Sequence, residues 1–343
     1  MGQPANGPDL NTLSEEQLLG LRLRELPIRI EGTWLTGCIE KLHAELAAKR
    51  LLFRPRCYLA EEWVTPEDEP VIGIPFYLAH PVLTRLEKKF MLEAEGEGEE
   101  RCMKLLRHET GHAIGYAYKL HSRRGWRGTF GDPQEEEPPS YFFRPHSKSF
   151  VRHLDFYYAQ YHPDEDFAET FAVWLTPGLD WENRYKGWPA LKKLHFMDQL
   201  MRSIQDKPPL KEKGRPYWVA AKMTSRLGEH YKRRRRSQAE DYPDFHDPSL
   251  RQMFPAEGPA AAPGAADFVK KHRSAAVQIV SNWTGQPKYI IGDLLKDIQT
   301  RCRKLKLLRT DPEPIALSRL TAYLTTLVMN HRYTGWFRGE KRK

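Results

Sequence analysis

The pentapeptide His108-Glu109-Thr110-Gly111-His112 constrains this chain more than any other stretch. Residues four apart on a helix stand one above the other on the same face. If the segment is helical, the two imidazoles can reach one metal ion together, and Glu109 lies beside whatever water that ion holds. A chain of 343 residues with 13 histidines meets such a pattern by chance only about 0.03 times. The flanks support a helix. No proline interrupts Glu99 to Lys119, and Met103, Leu106, Ala113, Ile114 and Ala117 recur at three- and four-residue steps that suit a core-facing side. Gly111 and Gly115 each cost a helix about 1 kcal/mol relative to alanine. A close approach by another element accounts for them.

A catalytic zinc takes three protein ligands and leaves a position for water. The third ligand is sought in His162-Pro163-Asp164-Glu165-Asp166-Phe167-Ala168-Glu169-Thr170-Phe171-Ala172. Pro163 suits a first helical turn, the three acids suit the positive end of the helix dipole, and Thr176-Pro177-Gly178 supplies a stop. Glu165 and Glu169 share a face with Ala168 and Ala172, whose small side chains admit a second helix. We expect Glu165 to bind zinc and Glu169 to accept a hydrogen bond from the far nitrogen of a ligand histidine, fixing its tautomer. Glu169 is the rival ligand. The plainer alternative is an acidic helix start on the surface. Phe167, Phe171, Val173, Trp174 and Leu175 argue against it.

The pairing of HETGH with EDFAETFAVWL resembles the gluzincin metallopeptidases, in which an HExxH helix is joined by a later ExxxD or ExxxE helix. Blocks around Phe53 to Arg56, Gly73 to Pro81 and His162 to Leu175 are similar to a set of bacterial zinc-binding metallopeptidases, over roughly residues 25–205. The resemblance implies a zincin-like fold with one zinc per chain. His108, His112 and Glu165 are then its ligands and Glu109 the general base. It also implies an oxyanion donor at Tyr158, seven residues before Glu165, with Tyr157 and Tyr161 as rivals, although these tyrosines read equally well as core packing residues. His121, His146, His153 and His162 are further candidate donors, each of which reads first as an ordinary polar residue.

Along the chain we expect an α+β protein: a zincin-like metallopeptidase domain with a small sheet and an active-site helix, followed by a C-terminal helical bundle. The expected parts are a disordered N-terminus (1–13), the metallopeptidase domain (14–231), a basic and Pro/Ala-rich linker (232–265) and a basic helical domain (266–343). Strands are expected near 53–59, 71–78 and 90–94. Pro75 marks an edge or bulge that could take an extended peptide, unless another segment covers it. Residues 121–149 are long enough to be a lid. From Ala266 to Lys343 there are 16 Lys and Arg against 6 Asp and Glu, a net charge of +10. That permits an acidic partner or nucleic acid, although a soluble charged face explains it too.

No run of 18 apolar residues exists, so no membrane partner is expected. The N-terminus lacks a secretory pattern, and Cys38, Cys57, Cys102 and Cys302 lack metal-type spacing, which fits a reducing cytoplasm. The expected function is zinc-dependent hydrolysis of peptide bonds in a peptide or protein substrate. The alternatives are a zinc amidase or isopeptidase acting on a modified protein or peptide conjugate, and a non-enzymatic nucleic-acid or partner-binding adaptor with a relict zinc site.

Overall fold

The structure is a computed structural model and describes residues 7–136, 144, 147–236, 246–259 and 261–334. These residues divide into two compact units, one drawn from residues up to 88 and from 94–230, the other from 89–93 and from 231 onward. Helices dominate both, and one two-stranded sheet makes the chain α+β.

Capping chemistry opens the first helices. Ser14 and Gln17 form a reciprocal capping box at α1 (Glu15–Gly20), and the Thr33 side chain caps α2 (Trp34–Ala48). The segment before them is not loose, contrary to the expected disorder over 1–13. The Asp9 carboxylate accepts from Asn11 N at 3.0 Å, and this turn presses Leu10 into the core at 2% exposure. Residues 1–6 lie outside the described residues.

Prolines set the limits of the sheet. Strand β1 (Arg56–Ala60) starts just after Pro55, and β2 (Val71–Pro75) stops on Pro75, which has no N–H for a ladder. The two run parallel, Arg56 opposite Val71 and Ala60 opposite Pro75. Val64, in the connection between them, folds back and exchanges both backbone hydrogen bonds with Gly73, at 3.2 and 2.7 Å. A Cβ at Gly73 would lie 2.7 Å from Val64 Cγ1 and 2.8 Å from Ala60 Cβ, so only glycine fits. The edge considered for peptide binding is therefore covered at Gly73 by the chain itself. The third expected strand, 90–94, does not form. Val82, Leu83 and Leu86 bury at helical spacing, and α3 (Pro81–Met91) carries that period through Phe90.

Helix α4 (Glu99–Ala117) holds the HExxH residues, with Glu99 and Glu100 in its first turn. Short α5 (Trp126–Phe130) follows it, then α6 (Pro163–Leu175), α7 (Trp181–Arg184) and α8 (Ala190–Arg202). Helix α4 packs against α2 and α6, and α6 packs against α8. The described part of the 121–149 insertion is anchored rather than loose: Trp126 is fully buried, and Glu135 O lies 2.8 Å from His162 Nε2. Residues 137–143, 145 and 146 of that expected lid, His146 included, lie outside the described residues.

Helix α9 (Leu227–Arg236) crosses from the first unit's sequence into the second's. The second unit continues with α10 (Asp247–Met253), α11 (Ala265–Thr284), α12 (Lys288–Lys304) and α13 (Glu313–Thr334). Its core joins Phe268, Val277, Ile291, Leu295, Leu320 and Leu324 with Leu250 and Phe254. The last two fall inside the expected 232–265 linker, which is therefore partly core. Set four apart along α10 and the residue after it, they bury one apolar side that the surrounding Pro and Ala concealed in the sequence. Residues 237–245, and the basic tail from Arg338, lie outside the described residues. Ile279, on α11, is 41% exposed. Among the described residues no helix is long and apolar enough to cross a membrane.

Candidate metal centre

Two helices make the site, and small residues let them meet. A Cβ on Gly111 would stand 2.7 Å from Ala168 Cα and 3.0 Å from Ala168 O. Glycine on α4 and alanine on α6 therefore set the approach. Helix α6 starts where its sequence dictates: His162 Nδ1 accepts from Asp164 N at 3.2 Å, and Pro163 fills the first turn. Glu165 is thereby delivered to the paired imidazoles.

Three donor atoms converge. Glu165 Oε2 lies 3.0 Å from His108 Nε2 and 3.3 Å from His112 Nε2, and the two Nε2 atoms are 3.3 Å apart. The opposite ring nitrogens are already engaged. His108 Nδ1 faces Glu169 Oε1 at 3.0 Å, and His112 Nδ1 faces Asp164 Oδ2 at 3.0 Å. An ionised carboxylate only accepts, so each Nδ1 carries a hydrogen, and each ring when neutral turns a lone pair inward at Nε2. Two lone pairs and a carboxylate oxygen facing one another repel unless a positive charge joins them. The donor set therefore fits a divalent metal with borderline nitrogen and oxygen preferences such as zinc. Among the described residues this is the one group of three His, Cys, Asp or Glu side chains arranged to hold a metal ion.

The titration of the cluster carries the same demand for positive charge. Burial alone would lower the His108 pKa, but the carboxylates of Glu165 and Glu169 outweigh it and push it up to about 9. His112 is also desolvated, yet the charges of Glu165 and Asp164 hold it well above the ordinary imidazole range. Burial works against ionised Glu165, and the two imidazoles overcome that and hold it far below the usual carboxylate range.

The residues named from the sequence have places here except His146, which lies outside the described residues. Glu169 is fully buried; its second oxygen accepts from Leu154 N at 2.9 Å, which locks the carboxylate toward His108. Glu109 Oε2 accepts from Thr65 Oγ1 at 2.8 Å. Tyr158 OH donates to Glu165 Oε1 at 3.2 Å, and its ring centroid lies 5.6 Å from that of His108. Of its rivals, Tyr161 stacks on Tyr158 at 5.8 Å, and Tyr157 lies under the Arg152 guanidinium at 5.4 Å. His153 Nε2 lies 2.9 Å from Lys104 O, and His162 is the helix cap.

Two participants escaped the sequence reading. Asp164 has a sufficient local explanation in the helix dipole, although it precedes Glu165 and reaches His112. Thr65 comes from the loop between the strands, and no local pattern ties it to Glu109. Comparison of the chain with protein-family models, with curated proteins and with solved structures returns no match.

Proposed function

We propose that this chain is a zincin-like metallopeptidase that hydrolyses peptide bonds, with His108 Nε2, His112 Nε2 and Glu165 holding one zinc. The observation that carries the reading is the convergence of those three donors while both opposite ring nitrogens are committed to carboxylates. Bound zinc supplies Lewis acidity there, polarising a substrate carbonyl and acidifying a water.

The protein's own groups manage the protons. Thr65 fixes the Glu109 carboxylate through Oε2, leaving Oε1 to take a proton from the attacking water and pass it to the departing amide nitrogen. Tyr158, by turning its one hydroxyl hydrogen away from Glu165 Oε1, becomes the donor to the developing oxyanion. Burial first, and then the negative charges of Glu165 and Glu109, hold its phenol far above the ordinary range, so it stays protonated and able to donate at neutral pH. The four cysteines are free, which supports a reducing compartment such as the cytoplasm as the place of action.

The test is cleavage of a mixed peptide library by the zinc-loaded full chain and by Glu109→Gln. The variant is expected to keep its zinc and lose about 10²–10⁴-fold in rate, the usual worth of a positioned general base. Equal cleavage by the two proteins would remove Glu109 from the mechanism, and no cleavage by the zinc-loaded wild type would remove the activity.

A further inference from the structure

Asp164 does more than face His112. Its Oδ2 lies 3.0 Å from His112 Nδ1 and accepts from Tyr116 OH at 3.1 Å, while its Oδ1 lies 2.9 Å from His121 Nε2. A carboxylate that only accepts makes all three groups donors and uses both of its oxygens. With one oxygen held, the carboxylate plane can rotate about its last bond. With both held, it cannot.

The chain reverses direction to bring His121 there. Lys119 adopts a left-handed conformation, φ 51°, at the end of α4, and the short turn Leu120–Ser122 follows it. His121 then packs its ring against fully buried Trp126, centroids 5.1 Å apart, and against Tyr116 at 5.3 Å. Gly115 admits the ring, since a Cβ there would lie 3.4 Å from His121 Cε1. The side chain is 20% exposed, and the nitrogen it points inward is spent on Asp164 rather than on the metal cluster. Histidine at this place is thus held by packing on its faces and by Asp164 at its edge.

We propose that His121 and Tyr116 are positioning residues for the metal centre: they clamp the Asp164 carboxylate so that His112 presents Nε2 to the ion. The proposal rests on the zinc-site reading above. It assigns the inner part of the 121–149 insertion a role in setting metal affinity, through a chain that runs His121 to Asp164 to His112. Direct outer partners of ligand histidines are worth about 10–100-fold in metal affinity. A brace one step further out is expected to be worth less, about 3–10-fold.

The experiment measures zinc affinity of the full chain by competition with a chromophoric chelator. The proteins are wild type, His121→Leu, His121→Gln, Tyr116→Phe, Asp164→Asn and the double variant His121→Leu/Asp164→Asn. His121→Leu is expected to bind about 3–10-fold more weakly, and Tyr116→Phe to lose affinity in the same direction. His121→Gln, whose amide nitrogen can stand near the position of Nε2, is expected to stay within about twofold of wild type. The double variant is expected to lose less than the sum of the two single losses, because an amide keeps only one accepting oxygen for the brace to hold. A general structural defect would instead add to the Asp164→Asn loss. Unchanged zinc binding in both His121→Leu and Tyr116→Phe, or full additivity in the double variant, overturns the brace while leaving the metal site intact. Should His121→Leu not fold, the isosteric Tyr116→Phe decides by the same comparison. Failure of the wild type itself to bind zinc overturns the metal site and the brace together.

Discussion

Replacing Gly111 with alanine tests whether the contact between α4 and α6 builds the site. The new methyl carbon would lie 2.7 Å from Ala168 Cα, 3.0 Å from Ala168 O and 3.1 Å from Ala168 Cβ. Carbon contacts settle near 3.5–4.0 Å, so the shortfall is roughly 0.8 Å or more, and it is mainly against backbone that cannot rotate away. Overpacking of this kind costs about 1–3 kcal/mol, and alanine returns about 1 kcal/mol of helix propensity. A clash with backbone puts the cost at the upper end, leaving a net loss of about 2 kcal/mol. Helix α6 must also back away, carrying Glu165 from the imidazoles, so zinc affinity should fall about tenfold or more. Gly115→Ala is the control for stability only, because it touches the His121 ring. Its methyl would meet Phe167 Cε1 at 3.3 Å and His121 Cε1 at 3.4 Å, side-chain ring edges rather than backbone and close to ordinary contact distance. That variant should lie within about 1 kcal/mol of wild type, since the propensity gain offsets the tighter contact. Urea unfolding followed by circular dichroism, with chelator competition for zinc, reads both effects. The reasoning is refuted if Gly111→Ala is as stable as wild type and binds zinc equally well.

Other consequences can be checked separately. Glu169→Gln and Asp164→Asn should each weaken zinc binding by about 10–100-fold, measured by chelator competition; wild-type affinity in both would deny them a role in holding the imidazoles. The pH dependence of the metal-free protein follows from the raised imidazoles. His108 titrates near 9 when folded against about 6.5 when unfolded, so its contribution is fully present below pH 6.5 and is lost as pH rises through 9. Chelator-treated protein should therefore melt at progressively lower temperature from pH 6.5 to 9, while zinc, which competes with those protons, should bind more tightly over the same range. A melting temperature that rises over that interval under chelation would contradict this account. In the second unit, Leu250→Ala or Phe254→Ala should cost about 2–5 kcal/mol by thermal unfolding, whereas a change under about 1 kcal/mol would return that segment to a linker.

The metal helices were legible because their signals are local. HETGH and EDFAE place His108, His112 and Glu165 by helical period, and Gly111 with Ala168 announced close packing of the two helices. Asp164 was hidden because an acid in a first turn has a sufficient local explanation in the helix dipole, and its contact with His112 spans 52 positions. Thr65 and Glu109 are 44 positions apart, and nothing in a strand connection forecasts a bond to a helix. The misread strand at 90–94 came from taking a short apolar run alone, when the period that decides it begins at Val82. The linker was misread for the opposite reason. Its Pro and Ala content dominated, while the two residues that bury, Leu250 and Phe254, were too few to form a visible pattern.

The most direct measurement is the zinc content of the purified full chain and of His112→Ala after dialysis against a weak chelator. The account predicts about one zinc per chain in the wild type and close to none in the variant, as a site of three protein ligands requires. A wild type without zinc, or a variant that keeps its full complement, would contradict it.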